Sequence, residues 1–176
     1  MKRFGILFLT LLFAVALVSC HHAHVYDPIT QMCNCGEINP DVCAYVGDSM
    51  ETATARFVSL QDAVDYVAQN GGPQTIHLSK DTATDGLTID SLDVAIDFES
   101  YKCTFTNGSG IVVKGASSDV SITGYKKLEA PITVQAGRLE TKVDYEGDVY
   151  VSGTATMKIS DGVSTLPDSI PIPCRT

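Results

Sequence analysis

Ser59-Leu60-Gln61-Asp62-Ala63-Val64-Asp65-Tyr66-Val67-Ala68-Gln69-Asn70, closed by Gly71-Gly72-Pro73, is the one stretch of this chain with a sustained helical period. Leu60, Ala63, Val64, Val67 and Ala68 recur at i, i+3, i+4, i+7 and i+8 and form one apolar stripe. Ser59 can cap the first turn, Asp62 sits three places on, and the two glycines with Pro73 end the helix. The spacing predicts a helix over 59–70 with a single face to bury.

Downstream the pattern changes to short runs of period two, parted by Gly, Asn, Asp and Ser. The predicted strands are Thr75–Leu78, Leu87–Ile89, Val94–Phe98, Cys103–Thr106, Ile111–Lys114, Val120–Thr123, Ile132–Gln135, Leu139–Tyr145, Val149–Ser152 and Thr156–Ile159, with Arg56-Phe57-Val58 as a short first strand. Their centres lie about 8–12 residues apart, which admits a sandwich, a barrel or a β-solenoid. The order of elements favours the last: one amphipathic helix comes first, and a stack of β-coils needs such a helix to cover its open apolar end.

The text itself carries a resemblance. Phe57-Val58-Ser59-Leu60-Gln61-Asp62-Ala63-Val64, then Thr75-Ile76-His77-Leu78-Ser79-Lys80-Asp81, then Leu87-Thr88-Ile89 and Val94-Ala95-Ile96-Asp97-Phe98, is similar to the opening coils of pectate-lyase-like right-handed β-helix domains of bacterial surface proteins. Residues 56–125 carry the likeness, which Val120-Ser121-Ile122-Thr123-Gly124 continues. Two departures stand out: Glu99-Ser100 replaces the family's usual Asn-Gly turn, and only four to five coils fit before residue 160. The resemblance implies a mainly β fold, a short right-handed parallel β-helix with one N-terminal capping α-helix. A small antiparallel β-sandwich with one helix is the alternative.

The chain opens with Met1-Lys2-Arg3 and an unbroken apolar or small run from Phe4 to Leu17. Fourteen helical residues span roughly 21 Å, short of the roughly 30 Å hydrocarbon core, so the run reads as a signal h-region and not a spanning helix. It ends in Leu17-Val18-Ser19-Cys20, which resembles the lipobox of bacterial lipoproteins. That resemblance implies cleavage before Cys20 and acylation of its thiol, with the lipid bilayer as partner; several acyl chains hold a protein on a membrane where one does not. His21 follows Cys20 where enteric lipoproteins retained in the inner membrane carry Asp. The implied place is therefore the outer membrane of a Gram-negative cell, or the outer face of the cell membrane of a Gram-positive one. The expected division is a signal peptide at 1–19, a tether and Cys-rich segment at 20–55, the β-helix at 56–160 and a C-terminal tail at 161–176.

Without residues 1–19 the balance is 10 basic against 21 acidic residues. A net −11 repels nucleic acid and anionic headgroups, so no nucleic-acid partner is expected. Five cysteines remain beside Cys20, and export permits disulfides. Five is odd, so at least one is free or pairs outside the chain. Cys33, Cys35, Cys43 and Cys174 are the disulfide candidates, with one bond expected within the Cys33/Cys35/Cys43 group. Cys103, alternating with Phe105, reads as a buried small apolar residue.

Chemistry is sparse. Asp81, Asp85, Asp90, Asp93, Asp97 and Glu99 form no calcium-type run, and no catalytic residue is assigned. In the resembled family the Asp97 position is structural, and His77 alternates out of the Ile76/Leu78 face towards solvent. His22 and His24, with Cys33 and Cys35, offer the imidazole and thiolate donors that suit zinc or copper, at a spacing that matches no established finger. Phosphate-loop, dinucleotide, G-x-S-x-G and H-E-x-x-H motifs are absent, and no cofactor is expected. The expected function is a lipid-anchored, non-enzymatic envelope module that binds glycan or another envelope protein. The alternatives are a polysaccharide-acting β-helix enzyme or its remnant, and metal capture by the His/Cys-rich start.

Overall fold

The computed structural model describes residues 23–124 and 126–160. Its body is a β-solenoid of four coils plus the first strand of a fifth. One sheet stacks β3 (Gln74–Leu78), β6 (Asp93–Asp97), β9 (Asp119–Thr123), β12 (Arg138–Thr141) and β15 (Thr156–Ile159), all parallel. A second stacks β5 (Leu87–Asp90), β8 (Ile111–Lys114), β11 (Ile132–Val134) and β14 (Val149–Val151) in parallel. Between them run two short parallel pairs, β4 (Thr82–Thr84) with β7 (Cys103–Phe105) and β10 (Leu128–Glu129) with β13 (Tyr145–Glu146). Parallel pairing throughout the body sets aside the antiparallel sandwich.

The register explains the core. Ile76, Ile96, Ile122 and Thr141 stack inside the first sheet, and Leu87, Ile111 and Ile132 inside the second, all essentially buried. Burying each such aliphatic side chain stabilises by about 1.5–3 kcal/mol. Thr141 fits the stack because its hydroxyl can accept the N–H of Val143 at the next corner, at 3.5 Å. Coil length is not constant: the register partners Gln74, Val94, Val120, Leu139 and Met157 fall at unequal intervals in the chain. The corners absorb the difference. Asp97 Oδ1 accepts the Glu99 N–H at 2.8 Å and holds Glu99 at φ 52°, so an Asp-x-Glu corner does the work of the missing Asn-Gly turn. At Gly110 a Cβ would lie 1.8 Å from the Pro131 carbonyl oxygen of the next coil, so only glycine fits that close approach.

The helix α1 (Leu60–Asn70) forms as its sequence predicts. Ser59 Oγ accepts the Asp62 N–H, and the Gly71 N–H returns to the Val67 carbonyl. Leu60, Ala63, Val64 and Val67 are buried, whereas Ala68 is exposed. At about 100° per residue Ala68 stands about 80° from Leu60, outside the roughly 100° arc that the other four cover. The helix does not cap the coils alone. β1 (Ala44–Val46) pairs antiparallel with both β2 (Ala55–Phe57) and β3, and α1 packs against β1, β2, β3 and β5. The sequence shows no apolar period across 21–56, yet Val42 to Val46 are all buried; a strand covered on both faces does not alternate. The predicted strand Leu139–Tyr145 is two strands, β12 and β13, parted by a corner at 142–144, and β4 and β10 are too short to leave a pattern.

Arg56 locks this cap. It is 1 % exposed, and its guanidinium donates to the carbonyls of Met50 (2.7 Å), Thr30 (2.9 Å) and Glu51 (2.8 Å), while its own N–H donates to Ile29 (2.9 Å). One residue, by its backbone and side chain, thus ties residues 29–30 and the 50–51 loop to β2. Arg56→Ala strands three carbonyls and is expected to cost about 3 kcal/mol in denaturant unfolding. Protease cutting within residues 23–41 of the folded variant is expected to accelerate, and unchanged cutting would show that Arg56 does not hold that segment.

Candidate functional site

Where the cap meets the first two coils the surface forms a groove of about 490 Å³. Asn39 and Pro40 come from the segment before β1, Tyr45 from β1, Lys80 from the turn after β3, and Glu99 and Tyr101 from the corner after β6. That size lies within the usual range of ligand sites, and the mix of tyrosine faces with a few polar groups is of the usual kind. Lys80 Nζ donates to the Pro40 carbonyl at 2.8 Å, and Ser79 binds the Val42 and Cys43 carbonyls, so the groove walls are tied to each other.

Backbone register assembles the chemistry beside it. Tyr45 on β1 is opposite His77 on β3, and His77 is opposite Asp97 on β6. The Tyr45 ring lies over the His77 imidazole, with centroids 5.1 Å apart and planes 17° from parallel. His77 Nδ1 meets Glu99 Oε1 at 3.1 Å. His77, Asp97 and Glu99 each offer one donor atom within 4.8 Å of the others. His77 therefore does more than face solvent, and Asp97 both shapes its corner and joins this group. A polysaccharide-cleaving site calls for clustered carboxylates; here two carboxylates share the place with one imidazole.

Five other acidic residues of the coils are held in ion pairs. On the first sheet Arg138 bridges Asp119 (3.6 Å) and Glu140 (2.8 Å), and Lys158 reaches Glu140 (3.0 Å). Along the short pairs Lys102 and Lys127 both reach Glu129, and Lys127 also holds Glu146. Lys114 stands 3.9 Å from Asp90. Such exposed cross-coil pairs contribute little stability each.

The cysteines divide. Cys33 and Cys35 are joined in a disulfide, and His24 lies beside both sulfurs. Cys43, grouped with the disulfide candidates in the sequence reading, is a buried free thiol under the cap, and Cys103 is another. Burial pushes the Cys103 thiol up to about 12, and burial likewise raises Cys43. Cys20, His22 and Cys174 lie outside the described residues, as does the tail at 161–176. The sequence names His77, Asp97 and Glu99 singly but does not join them to Tyr45, because Tyr45, His77 and Glu99 stand far apart in the chain. The only trace was the two-residue step from Asp97 to Glu99 beside an aligned His77.

Comparison with protein-family models, with curated proteins and with solved structures found no match to this chain.

Burial, with the Glu99 and Asp97 charges behind it, raises the Tyr45 phenol above its ordinary value of 10.0. Burial also pushes Tyr145 up to about 12, its hydroxyl lying 2.8 and 2.9 Å from the Ala130 and Asp148 carbonyls. An acid raised by folding stabilises fully below its unfolded value and loses that contribution as pH climbs to its folded one. Stability is therefore expected to fall as pH rises from 10.0 towards about 12. Denaturant curves across that range should be flatter for Tyr45→Phe and Tyr145→Phe; identical slopes in the wild type would refute the assignment.

Proposed function

We propose that this chain is an exported, lipid-anchored envelope protein whose β-solenoid carries a non-enzymatic binding groove for a polar, sugar-like ligand. The groove at the cap, with the half-exposed Tyr101 ring as its aromatic surface beside the buried Tyr45, and Lys80, Asn39 and Glu99 as polar edges, is the observation that carries the reading. Tyrosine presents a rigid flat face with a polar tip, which suits a pyranose ring that is apolar on one side and hydroxylated at its rim. The anchor reading rests on the residues up to Cys20. His24 is four residues on from Cys20, a reach of at most about 14 Å, so an acylated Cys20 would hold the cap end near the bilayer. The acidic excess would keep the body off anionic headgroups. No helix among the described residues is long and apolar enough to cross a membrane.

A second reading keeps the polysaccharide-acting alternative. His77, Asp97 and Glu99 supply an imidazole and two carboxylates at the groove, the residue types of general acid–base chemistry. Incubating the protein with a panel of envelope and plant polysaccharides separates the two: new reducing or unsaturated ends favour the enzyme, and binding without cleavage favours the module.

Two tests address the main reading. Tyr101→Ala, at a half-exposed position, should leave the fold intact and weaken a glycan found on such a panel by about tenfold, the loss typical of one interface aromatic. Undiminished affinity would remove the groove from the proposal. Cys20→Ser should move the protein from the membrane and detergent fraction to the soluble one, and a variant that stays with membranes would sink the lipid anchor.

A further inference from the structure

We propose that the loop holding His24, Cys33 and Cys35 is a redox-gated site for a thiophilic d10 cation of the Zn²⁺ or Cu⁺ kind, closed while the two sulfurs are bonded and competent once they are reduced. The inference is independent of the groove.

The imidazole already stands where a metal ligand would, and the two sulfurs, bonded to each other in this structure, would part on reduction to share an ion with it. His24 Nδ1 stands 3.4 Å from Cys33 Sγ and 3.4 Å from Cys35 Sγ. Two ligands at about 2.0 and 2.3 Å around a tetrahedral zinc are about 3.5 Å from each other. The imidazole is therefore already placed at the spacing of a shared metal. Its other nitrogen, Nε2, faces Glu37 Oε2 at 3.5 Å. A carboxylate there favours the tautomer with hydrogen on Nε2 and leaves the Nδ1 lone pair towards the sulfurs, the arrangement that orients metal-bound histidines. The Tyr26 ring is stacked on the same imidazole, with centroids 5.9 Å apart.

The backbone keeps the two sulfurs together without needing their bond. Cys33 N–H donates to the Glu37 carbonyl and Gly36 N–H to the Cys33 carbonyl, both at 2.9 Å, with Gly36 at φ 88°. Tyr26 pairs antiparallel with Cys33, which brings the His24 segment alongside. The Cys35 N–H points at Cys33 Sγ at 3.3 Å, a donor that favours a thiolate. The cross-link spans a sequence separation of only 2, so it removes little freedom from the unfolded chain and adds little to stability. A bond that contributes so little to the fold can open without unfolding it.

The chemistry closes. An external dithiol reduces Cys33–Cys35: the S–S bond breaks, the dithiol becomes a disulfide, and its two protons end on Cys33 and Cys35. The cation then forms two metal–sulfur bonds and one metal–nitrogen bond and displaces both thiol protons. A disulfide oxidant takes the two electrons back, re-forms the Cys33–Cys35 bond and expels the ion.

The test uses the full chain in detergent, with Zn²⁺ as probe and a chromophoric chelator as competitor, before and after reduction by a phosphine. The reduced protein should bind one Zn²⁺ more tightly than about micromolar and the oxidised protein about a hundredfold more weakly, with release on re-oxidation. Substituting Co²⁺ should give a thiolate-to-metal charge-transfer band only after reduction. A Cys33→Ser/Cys35→Ser variant measures any background from the other thiols and histidines. His24→Gln and Glu37→Gln change exposed side chains and leave the fold in place, so they report even if the double variant does not fold. Each should weaken Zn²⁺, Glu37→Gln by about 10–100-fold. Reduced protein that binds no better than oxidised protein or than the double variant would overturn the proposal, as would a His24→Gln protein that binds like the wild type.

Discussion

In-register stacking of aliphatic side chains inside parallel coils is the constraint on which the rest of this structure depends. Ile76, Ile96 and Ile122 lie one above another, as do Leu87, Ile111 and Ile132. A one-residue slip in any coil would turn its apolar set outwards, so the phase of every strand is held by the phase of its neighbours. Insertions are confined to corners, and that is why coils of unequal length coexist with an unbroken core. The same rule aligns the outward residues. Asp97 stands beside His77 because Ile96 must stand beside Ile76. The polar group at the groove is thus a consequence of core register together with one residue, Tyr45, brought in by the cap.

A stack of coils has two ends, each with unpaired backbone and apolar interior. At the first end this chain uses a helix, an antiparallel pair and a buried arginine. Arg56 has carbonyls as partners in place of a carboxylate, which suits a role of joining loop backbones that have no strand partner. At the other end β14 and β15 are the last strands among the described residues, and Tyr150 and Val151 are exposed there. Irregularity at the first end leaves room for a groove, while the regular faces carry charge pairs that link one coil to the next.

The electrostatics follow the same division. On the faces, Arg138, Lys158, Lys102 and Lys127 pair with acidic neighbours on adjacent coils, which offsets the repulsion where like charges stack in register, Glu129 beside Glu146 and Asp93 beside Asp119. At the cap, Asp97 and Glu99 stand close together with His77 between coils and Lys80 across the groove. Near the N-terminus, His24, Cys33, Cys35 and Glu37 gather in a loop that the body does not require for its core. Chemistry is thus concentrated where the repeat is broken.

The sequence by itself determined the helix, its cap and its stop, and most of the strands, because local periodicity and turn chemistry are readable within a dozen residues. The order of one helix followed by strands was enough to favour stacked coils over a sandwich. It also located the cysteine-rich start without settling which sulfurs meet. Ala68, the corner inside Leu139–Tyr145, and β1 escaped for one reason: which positions are covered there is decided by neighbours distant in the chain. Only the tertiary structure decided that Cys33 pairs with Cys35 while Cys43 is enclosed as a thiol, and that Arg56 turns inwards. It alone brought Tyr45, His77 and Glu99 to one place. The Tyr45–His77 and His77–Glu99 contacts span 32 and 22 positions, a separation at which no local pattern constrains one residue by another, and only the register of packed coils does.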